Sequence, residues 1–307
     1  MYRANVLVLA LLFCQTVTRA NEEWVTVGSP GNRPDRTGCG DVAYEFQIMK
    51  HEVTVREYTE FLNLVAAHSD PHELWVTAMG EHVITDLGQG GIRKDVPQCI
   101  RREGRPGAWK YCTIPEREEC PVFFVTFFSA LRYANWLHHG GQNGDTETGA
   151  YNLIQGENVS RSAMAKVWLP NENEWYKAAY FQPEEIGGPE GSYWQFPMST
   201  NDQPVKADPG SDGNHVACFS RGFGGMVPVG SYPNAKSPCG AFDMGGNVWE
   251  WTSTCVAKDT GGYMCPAYYV NGEHEAEIPT FLRDAISGGC AAGVPPTNLG
   301  FRLVRDR

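Results

Sequence analysis

The sequence lacks several features that would assign it to common functional classes. Lys and Arg number 25 against 36 Asp and Glu, a formal net charge of −11. Nucleic-acid binding needs clustered basic residues on phosphates, so this balance argues against a nucleic-acid partner. No CxxC pair occurs, which argues against a zinc ribbon or a thioredoxin-type site. No stretch after residue 20 is apolar for long enough to span a bilayer, so no membrane span is predicted.

The first twenty residues have the pattern of an export signal. Arg3 supplies the positive start and Val6–Phe13 the apolar stretch. Thr18 and Ala20 fit the small-residue pattern before cleavage at Asn21. We therefore expect a signal peptide over 1–20 and a mature chain of 21–307. The predicted location is secreted, periplasmic or in the lumen of the secretory pathway.

Nine of the ten cysteines lie in the predicted mature chain: Cys39, Cys99, Cys112, Cys120, Cys218, Cys239, Cys255, Cys265 and Cys290. In an exported chain they indicate disulfides, whose connectivity the spacing does not fix. Cys255 and Cys265 bracket a glycine-containing loop and are one plausible pair. The odd number leaves at least one thiol free or paired with another chain. Asn158-Val159-Ser160 is a glycosylation sequon, so a glycoprotein is expected where the source glycosylates.

Short elements separated by long irregular stretches are predicted along the chain. A capping box at Asn171 and Glu174 begins one helix, with Trp175, Ala178 and Ala179 facing the core. The other predicted elements are a strand within 44–54, a helix over 55–68, a buried strand over 122–126 and a helix over 129–138 ended by Gly140-Gly141. Residues 182–235 are predicted to be loops with short strands. This content favours a single α+β domain with little regular secondary structure.

Residues 69–120 are predicted to be an insertion that is rich in glycine, charge and cysteine. From Arg93 to Lys110 the sequence contains six basic residues and only two acidic ones, Asp95 and Glu103. One interpretation is a solvated loop. The other is a contact surface for an anion or a peptide.

The stretch GAFDMGGNVWEWTS, residues 240–253, carries the most chemical information. Asp243 and Glu250 are hard oxygen ligands, and Gly245 and Gly246 allow the backbone to turn its carbonyls inward. Such a set suits Ca²⁺, which takes six to eight oxygen ligands. The alternative is a tight turn before a strand, with Trp249 and Trp251 in the core. No EF-hand spacing supports calcium independently.

Five motifs in order resemble the formylglycine-generating-enzyme, or sulfatase-modifying-factor, family. They are IMKHEVTVREYTEFLN, CPVFFVTFFSALRYANWL, WLPNENEWYKAAY, GAFDMGGNVWEW and NLGFRLV, and together they span about Tyr44 to Val304. The resemblance implies one compact C-type-lectin-like domain with structural calcium. It assigns the Asp243 and Glu250 side chains and the Gly246 and Val248 carbonyls to one calcium site. A second site is implied near Asn214.

The resemblance also directs attention to the C-terminal segment. Family members that generate formylglycine hold copper(I) with two cysteines between a Gly-Gly turn and the Asn-Leu-Gly-Phe-Arg motif. Two soft thiolates suit Cu(I). Here Gly288-Gly289 is followed by Cys290 alone, and seven residues separate Cys290 from Asn298. Cys290 is thus the one candidate catalytic residue, copper is doubtful, and Cys255 or Cys265 are the alternatives for a distant partner.

Three functional hypotheses follow from these residues. The first is an exported, calcium-stabilised module that binds a polypeptide or a glycan through a lectin-like groove and does not generate formylglycine. The second is an oxidoreductase that acts on a protein cysteine or a small secreted metabolite through Cys290. The third is a structural component of a cell surface or matrix. Histidine-held iron is not favoured, because the eight histidines are scattered.

Overall fold

A computed structural model describes residues 23–81, 98–142, 145–154, 159–202, 204, 207–211, 226–254 and 299–307. It also gives the backbone of four strands at 83–86, 93–96, 260–265 and 286–291. The helices are α1 (Val55–Val65), α2 (Thr77–Gly80), α3 (Phe127–His138) and α4 (Glu172–Tyr180). The strands are β1 (Trp24–Val27), β2 (Phe46–Met49), β3 (Val83–Asp86), β4 (Arg93–Val96), β5 (Ile100–Arg105), β6 (Ala108–Thr113), β7 (Val167–Trp168), β8 (Trp249–Thr252), β9 (Thr260–Cys265), β10 (Ile286–Ala291), β11 (Leu299–Gly300) and β12 (Val304–Arg305). This mixture of few helices and short strands confirms the predicted α+β class.

Two four-stranded sheets organise the chain. One has the order β1-β2-β12-β7 and the other β10-β9-β8-β11. Two separate hairpins, β3-β4 and β5-β6, lie within the predicted insertion. Strand β12 pairs antiparallel with both β2 and β7. The segment around residue 300 therefore links the two sheets, because β11 belongs to one and β12 to the other.

Helix α1 begins with a reciprocal capping box. The Thr54 side chain accepts a bond from the Glu57 backbone N–H, and the Glu57 carboxylate accepts one from the Thr54 backbone N–H. Tyr58, Phe61 and Leu62 are fully buried. The helix ends at Val65 rather than at the predicted residue 68. Just beyond that end, the carbonyl of Ala67 accepts a bond of 2.7 Å from the β6 residue Trp109.

The other two long helices follow their predicted signals. Asn171 accepts a bond from Glu174 N at 2.9 Å, and Glu174 Oε2 accepts one from Asn171 N at 2.7 Å. This confirms the capping box of α4. Helix α3 starts two residues before the predicted position, because Thr126 caps it by accepting a bond from Ser129 N. It ends at His138, and Gly140 shortly beyond that end has φ of 85°, the left-handed conformation that favours glycine.

The prediction of a buried strand over 122–126 is wrong, although the burial is right. Val122, Phe123, Phe124 and Val125 are at most 2% exposed. Phe124, however, has φ of 59°, which interrupts an extended backbone. A Cβ placed on Gly300 would lie 2.4 Å from the Val122 carbonyl oxygen. This segment is therefore irregular and buried. Strand β11 packs directly on its backbone, and position 300 requires glycine for this reason.

The basic stretch of the insertion is not simply a solvated loop. Strands β5 and β6 pair along six residues, from Ile100↔Thr113 to Arg105↔Ala108. The Arg102 guanidinium lies 4.0 Å from the centroid of Trp75 and 4.4 Å from that of Trp109. Arg102 thus packs on the rings of Trp75 and Trp109, while Arg101 and Lys110 remain exposed.

The five cysteines with described side chains, Cys39, Cys99, Cys112, Cys120 and Cys239, are free thiols. The disulfide expectation therefore does not hold among these five. Burial raises the pKa of Cys99 to about 12, which makes it an unreactive core thiol. The predicted signal peptide, the sequon asparagine, Cys255 and the second calcium site near Asn214 lie outside the described residues. Within the described part of the chain, no helix is long and apolar enough to cross a membrane.

Lys177 gives a testable pH dependence. It is buried on α4, and its ammonium donates to the Ser29 carbonyl at 2.9 Å. Burial lowers the pKa of Lys177 to about 8, and the charge of Glu45 only partly opposes this. A lysine in the unfolded chain has a pKa near 10.4, so between about pH 8 and pH 10 the unfolded chain binds the extra proton. Stability therefore rises with pH across this window.

Replacing Lys177 with methionine is expected to raise the free energy of unfolding by about 1–2 kcal/mol at pH 7 and by less at pH 10. Urea denaturation of both proteins at the two pH values measures the difference. Lys166→Met is the matched control, because Lys166 is exposed. An equal gain at both pH values would contradict the lowered pKa of Lys177.

Candidate functional site

A fully buried ion pair joins the two motifs nearest the C-terminus. Strand β8 supplies Glu250, and the turn between β11 and β12 supplies Arg302; both are 0% exposed. Arg302 Nη2 donates to Glu250 Oε1 at 2.7 Å, and Arg302 Nε donates to Oε2 at 2.8 Å. Trp175 Nε1 donates to the same Oε2 at 2.9 Å. Both carboxylate oxygens of Glu250 are therefore engaged by protein donors.

The remaining donors of Arg302 bind backbone carbonyls of other segments. Nη2 reaches the Phe242 carbonyl at 3.0 Å, and Nη1 reaches that of Met49 at 3.3 Å. Burial alone would lower the pKa of Arg302, but Glu250 raises it well above its ordinary value. The guanidinium is permanently charged and ties β2, β8 and the 240–250 turn together.

Two further acids lie beside this pair. Asp243 has φ of 58° and its Oδ2 accepts a bond of 2.6 Å from Gly230 N. Burial raises the pKa of Asp243 to about 6, although the Gly230 bond and Arg302 oppose the shift. Glu52 is 1% exposed, and neither of its oxygens has a hydrogen-bond partner among the described residues. Burial and then the charge of Asp243 raise the pKa of Glu52 well above its ordinary value.

His51 completes this cluster of titratable groups. Its ring stacks on Phe242 with 5.0 Å between centroids. Its Nδ1 is buried and has no partner among the described residues. Burial, followed by the charges of Arg302 and Lys50, lowers the pKa of His51 to about 4. His51 is therefore neutral at physiological pH and does not balance the neighbouring acids.

The four predicted calcium ligands lie together, but one of them is already bonded to other protein groups. Asp243, Gly246, Val248 and Glu250 are all buried in one turn and the strand that follows it. Glu250, however, is bonded to Arg302 and Trp175. The described residues contain no group of three or more His, Cys, Asp or Glu side chains placed to hold a metal ion. The calcium site stays a prediction, while the alternative of a turn before a strand is confirmed by β8, with Trp251 fully buried and Trp249 half-buried.

Cys290 lies in β10, of which the backbone alone is described. The register pairs Cys290 with Gly261 and Ile286 with Cys265. The backbone positions of Cys265 and Cys290 are thus separated by four residues along β9, or about 14 Å at 3.4 Å per residue. Two cysteines can be bridged only when their Cα atoms are within about 7 Å. Cys265 is therefore not a close partner for Cys290, and Cys255 lies outside the described residues.

A surface cavity of about 500 Å³ lies away from these groups. It is formed between the loop after β1 and the segment after α4. Its walls include Asn32, Arg33, Phe181, Glu184 and Tyr193. Asn32 Nδ2 donates to Tyr193 Oη at 2.7 Å, which fixes one wall against the other. An open cleft with aromatic, amide and charged groups suits a polar ligand.

Sequence reasoning missed Glu52, Trp175 as a hydrogen-bond donor, and Arg302. The available signal was a charged residue inside an apolar motif. Glu52 precedes Val53, and Arg302 stands between Phe301 and Leu303, all three fully buried. A charge in such a position is rarely buried unless it is paired.

Comparison with known proteins is consistent with this architecture. The profile described as "Sulfatase-modifying factor enzyme 1-like domain" matches residues 26–307. Hercynine oxygenase of Mycobacterium tuberculosis is 34% identical over 134 residues, which is 44% of this chain and 22% of that protein. Hercynine oxygenase of Mycolicibacterium smegmatis is 32% identical over 135 residues, again 44% and 22%. The matched region thus spans less than a quarter of these relatives.

Among solved structures, CarF superimposes with a TM-score of 0.53 at 19% identity. The match covers 93% of this chain and 98% of CarF. At this identity the likeness supports the fold and nothing finer.

Proposed function

Because the chain belongs to the sulfatase-modifying factor enzyme 1-like family, we propose that it is an exported, calcium-stabilised member that binds a polypeptide or a glycan and does not generate formylglycine. Membership of this family supports the fold, which is a single α+β domain. Export, calcium and ligand binding rest on the predicted signal peptide, on the acids around Asp243 and on the open cleft beside Tyr193.

The observation that carries the proposal is the register of β9 and β10. Formylglycine generation in this family uses a pair of cysteine ligands for Cu(I). The register separates Cys290 from Cys265 by four residues along β9. A lone thiolate is a poor Cu(I) site, because soft linear coordination needs two sulfur ligands. With Cys265 placed too far along β9 to be the second ligand, the role we propose for this scaffold is binding.

Copper titration tests the loss of the catalytic pair. The mature chain, reduced and metal-free, is titrated with Cu(I) in competition with a chromophoric chelator. We expect no stoichiometric transfer of copper to the protein, and Cys290→Ser is expected to give the same curve. Cys255→Ser is the matched control, because Cys255 is the other candidate partner of Cys290 and lies outside the described residues. One equivalent of tightly bound Cu(I) that is lost in Cys290→Ser would overturn the proposal.

Binding itself is tested on the cleft. The wild-type chain is passed over immobilised panels of oligosaccharides and of extended peptides. Asn32→Ala and Phe181→Ala, which alter opposite walls, are expected to weaken any specific capture by about tenfold or more. Leu64→Ala is a control, since Leu64 is exposed on α1 away from the cleft. Equal capture by all variants would remove the cleft as the binding surface.

A second candidate is an oxidoreductase, and the oxygenases among the relatives favour it. In this alternative Cys290 is the reactive thiol and the substrate is a protein cysteine or a small secreted metabolite. Oxygen consumption with a cysteine-containing peptide, with and without added copper or iron, discriminates between the two. Consumption that requires Cys290 would favour the oxidoreductase, and none is expected from a binding protein.

A further inference from the structure

We infer that the surface cavity beside Tyr193 takes an extended polypeptide segment instead of a glycan, and that this segment carries one acidic and one basic side chain. The acidic side chain lies against Arg33 and the basic one against Glu185. The inference rests on the proposed function and deepens it, because it selects the class of ligand and names the residues that recognise it.

The first argument is the pair of opposite charges that the cavity holds apart. Arg33 lies on the loop after β1 and Glu185 on the segment after α4; both line the cavity and both are exposed. Neither side chain forms an ion pair or a hydrogen bond within the described part of the chain. A ligand with both charges can pair with both walls at once, whereas a neutral glycan has no charge to offer to either wall.

The neighbouring acid, Glu184, has a different role. Its Oε1 accepts a bond of 2.7 Å from Gly191 N, which is itself part of the cavity wall. Glu184 therefore holds the rim of the cavity in place. Of the two adjacent carboxylates, Glu185 is the one that is left to meet a ligand.

The second argument is that the spacing of the two walls is fixed. Tyr193 Oη accepts a bond of 2.7 Å from Asn32 Nδ2 and donates one of 2.9 Å to the Arg33 carbonyl, so the backbone of Arg33 is anchored to the opposite wall. Ser29 and Ser192, one on each wall, have φ of 58° and 63°. Non-glycine residues keep such φ values only where surrounding contacts hold them. Groups that are fixed before binding favour a ligand whose charges have the matching separation.

The third argument is the apolar surface between the charges. Pro30, Phe181 and Pro183 line the cavity. The ring of Phe181 is half-buried and packs edge-on against Tyr193, with 5.2 Å between centroids. Long charged side chains lay their methylene groups along apolar surface while their charged ends stay in water. The volume of about 500 Å³ lies within the usual range for ligand sites, about 300–1,000 Å³.

Peptide titration of the mature chain tests the inference, read by fluorescence anisotropy of labelled peptides. Each peptide carries one Glu and one Lys, separated by about one to five residues of an otherwise neutral polar chain, in both orders. We expect at least one peptide to bind, with an affinity that falls by about tenfold or more between roughly 0.05 and 1 M NaCl, because salt screens exposed charges. A neutral peptide of equal length and neutral oligosaccharides are expected to bind at least about tenfold more weakly.

Charge reversal identifies the two recognition residues. Arg33→Glu is expected to weaken binding of the selected peptide by about tenfold, and to regain it when Lys replaces the Glu of the peptide. Glu185→Arg is expected to behave in the opposite sense, with recovery when Glu replaces the Lys. Such recovery does not follow from damage to the fold. Arg36→Glu and Glu190→Arg are the matched controls, since both residues are exposed nearby and neither lines the cavity.

The other outcomes separate the inference from the proposed function. Capture of neutral oligosaccharides that is lost in Asn32→Ala and unchanged in Arg33→Glu would overturn the inference and leave the proposed function in place. Equal binding of the peptides by the wild type, Arg33→Glu and Glu185→Arg would also overturn it. If no peptide and no oligosaccharide binds, the inference and the binding part of the proposed function both fail.

Discussion

Replacing Arg302 with leucine is expected to lower the free energy of unfolding by about 3–5 kcal/mol, the usual cost of removing one member of a buried ion pair. The variant leaves Glu250 without its two guanidinium bonds and the carbonyls of Phe242 and Met49 without their donors. Urea denaturation at pH 7.5, followed by tryptophan fluorescence, measures the loss. Trp175 is a suitable reporter, because its indole donates to Glu250.

Arg305→Leu is the matched control for Arg302→Leu. Arg305 lies on β12 and is half-buried, with its Nε donating to Gln47 at 2.8 Å and its guanidinium 4.5 Å from the Trp24 centroid. We expect a loss of about 1 kcal/mol or less from this variant. Equal losses in the two variants would show that the buried pair is no more important than a surface contact.

Truncating Phe61 to alanine is expected to cost about 3–5 kcal/mol of unfolding free energy. The ring is fully buried, with centroids 5.3 Å from Tyr58, 5.2 Å from Tyr133 and 5.2 Å from Trp136. These rings come from α1 and α3, so the truncation would leave a cavity between the two helices. Chemical denaturation with an unchanged m-value is the measurement.

Leu64→Ala on the same helix controls for the effect of an alanine substitution at an exposed position of α1. Leu64 is 45% exposed, so its truncation removes little buried area. A loss below about 1 kcal/mol is expected. If Phe61→Ala cost no more than Leu64→Ala, the aromatic cluster between α1 and α3 would not be the centre of the core.

The parts of the fold that depend on neighbouring residues were predictable from sequence. The capping box of Asn171 and Glu174 needs three residues of context, and the structure reproduces both of its bonds. The left-handed Gly140 shortly beyond α3 is equally local. Burial was also predictable where the spacing was helical, as it is for Trp175, Ala178 and Ala179, which are fully buried.

The errors lie where distant segments decide the backbone. Nothing near Phe124 signals its left-handed φ, since the apolar run around it is as compatible with a strand. The strands of the 69–120 region could not be assigned from charge and glycine content, because strands are formed by pairing with partners that composition does not reveal. Propensity is a weak guide when tertiary contacts override it.

In the candidate site, too, residues within one motif were predictable and contacts between distant segments were not. Asp243 and Glu250 were found because they share one short motif. Glu52 was not, since it lies far earlier in the chain and meets Asp243 only after folding. Arg302 was recognised as part of a motif, but its bonds to Glu250 join two motifs and could not be predicted from either one. A set of site residues drawn from one motif omits every residue that other parts of the chain bring to the site.

Strand β12 has a consequence for how the polypeptide is made. Its residues 304 and 305 occupy an interior position in a sheet with β2, whose residues 46–49 are synthesised first. At roughly 5–20 residues per second, the ribosome leaves β2 without this neighbour for tens of seconds. Throughout elongation β2 therefore lacks its inner neighbour, and the four-stranded sheet is completed only when residue 305 has been synthesised.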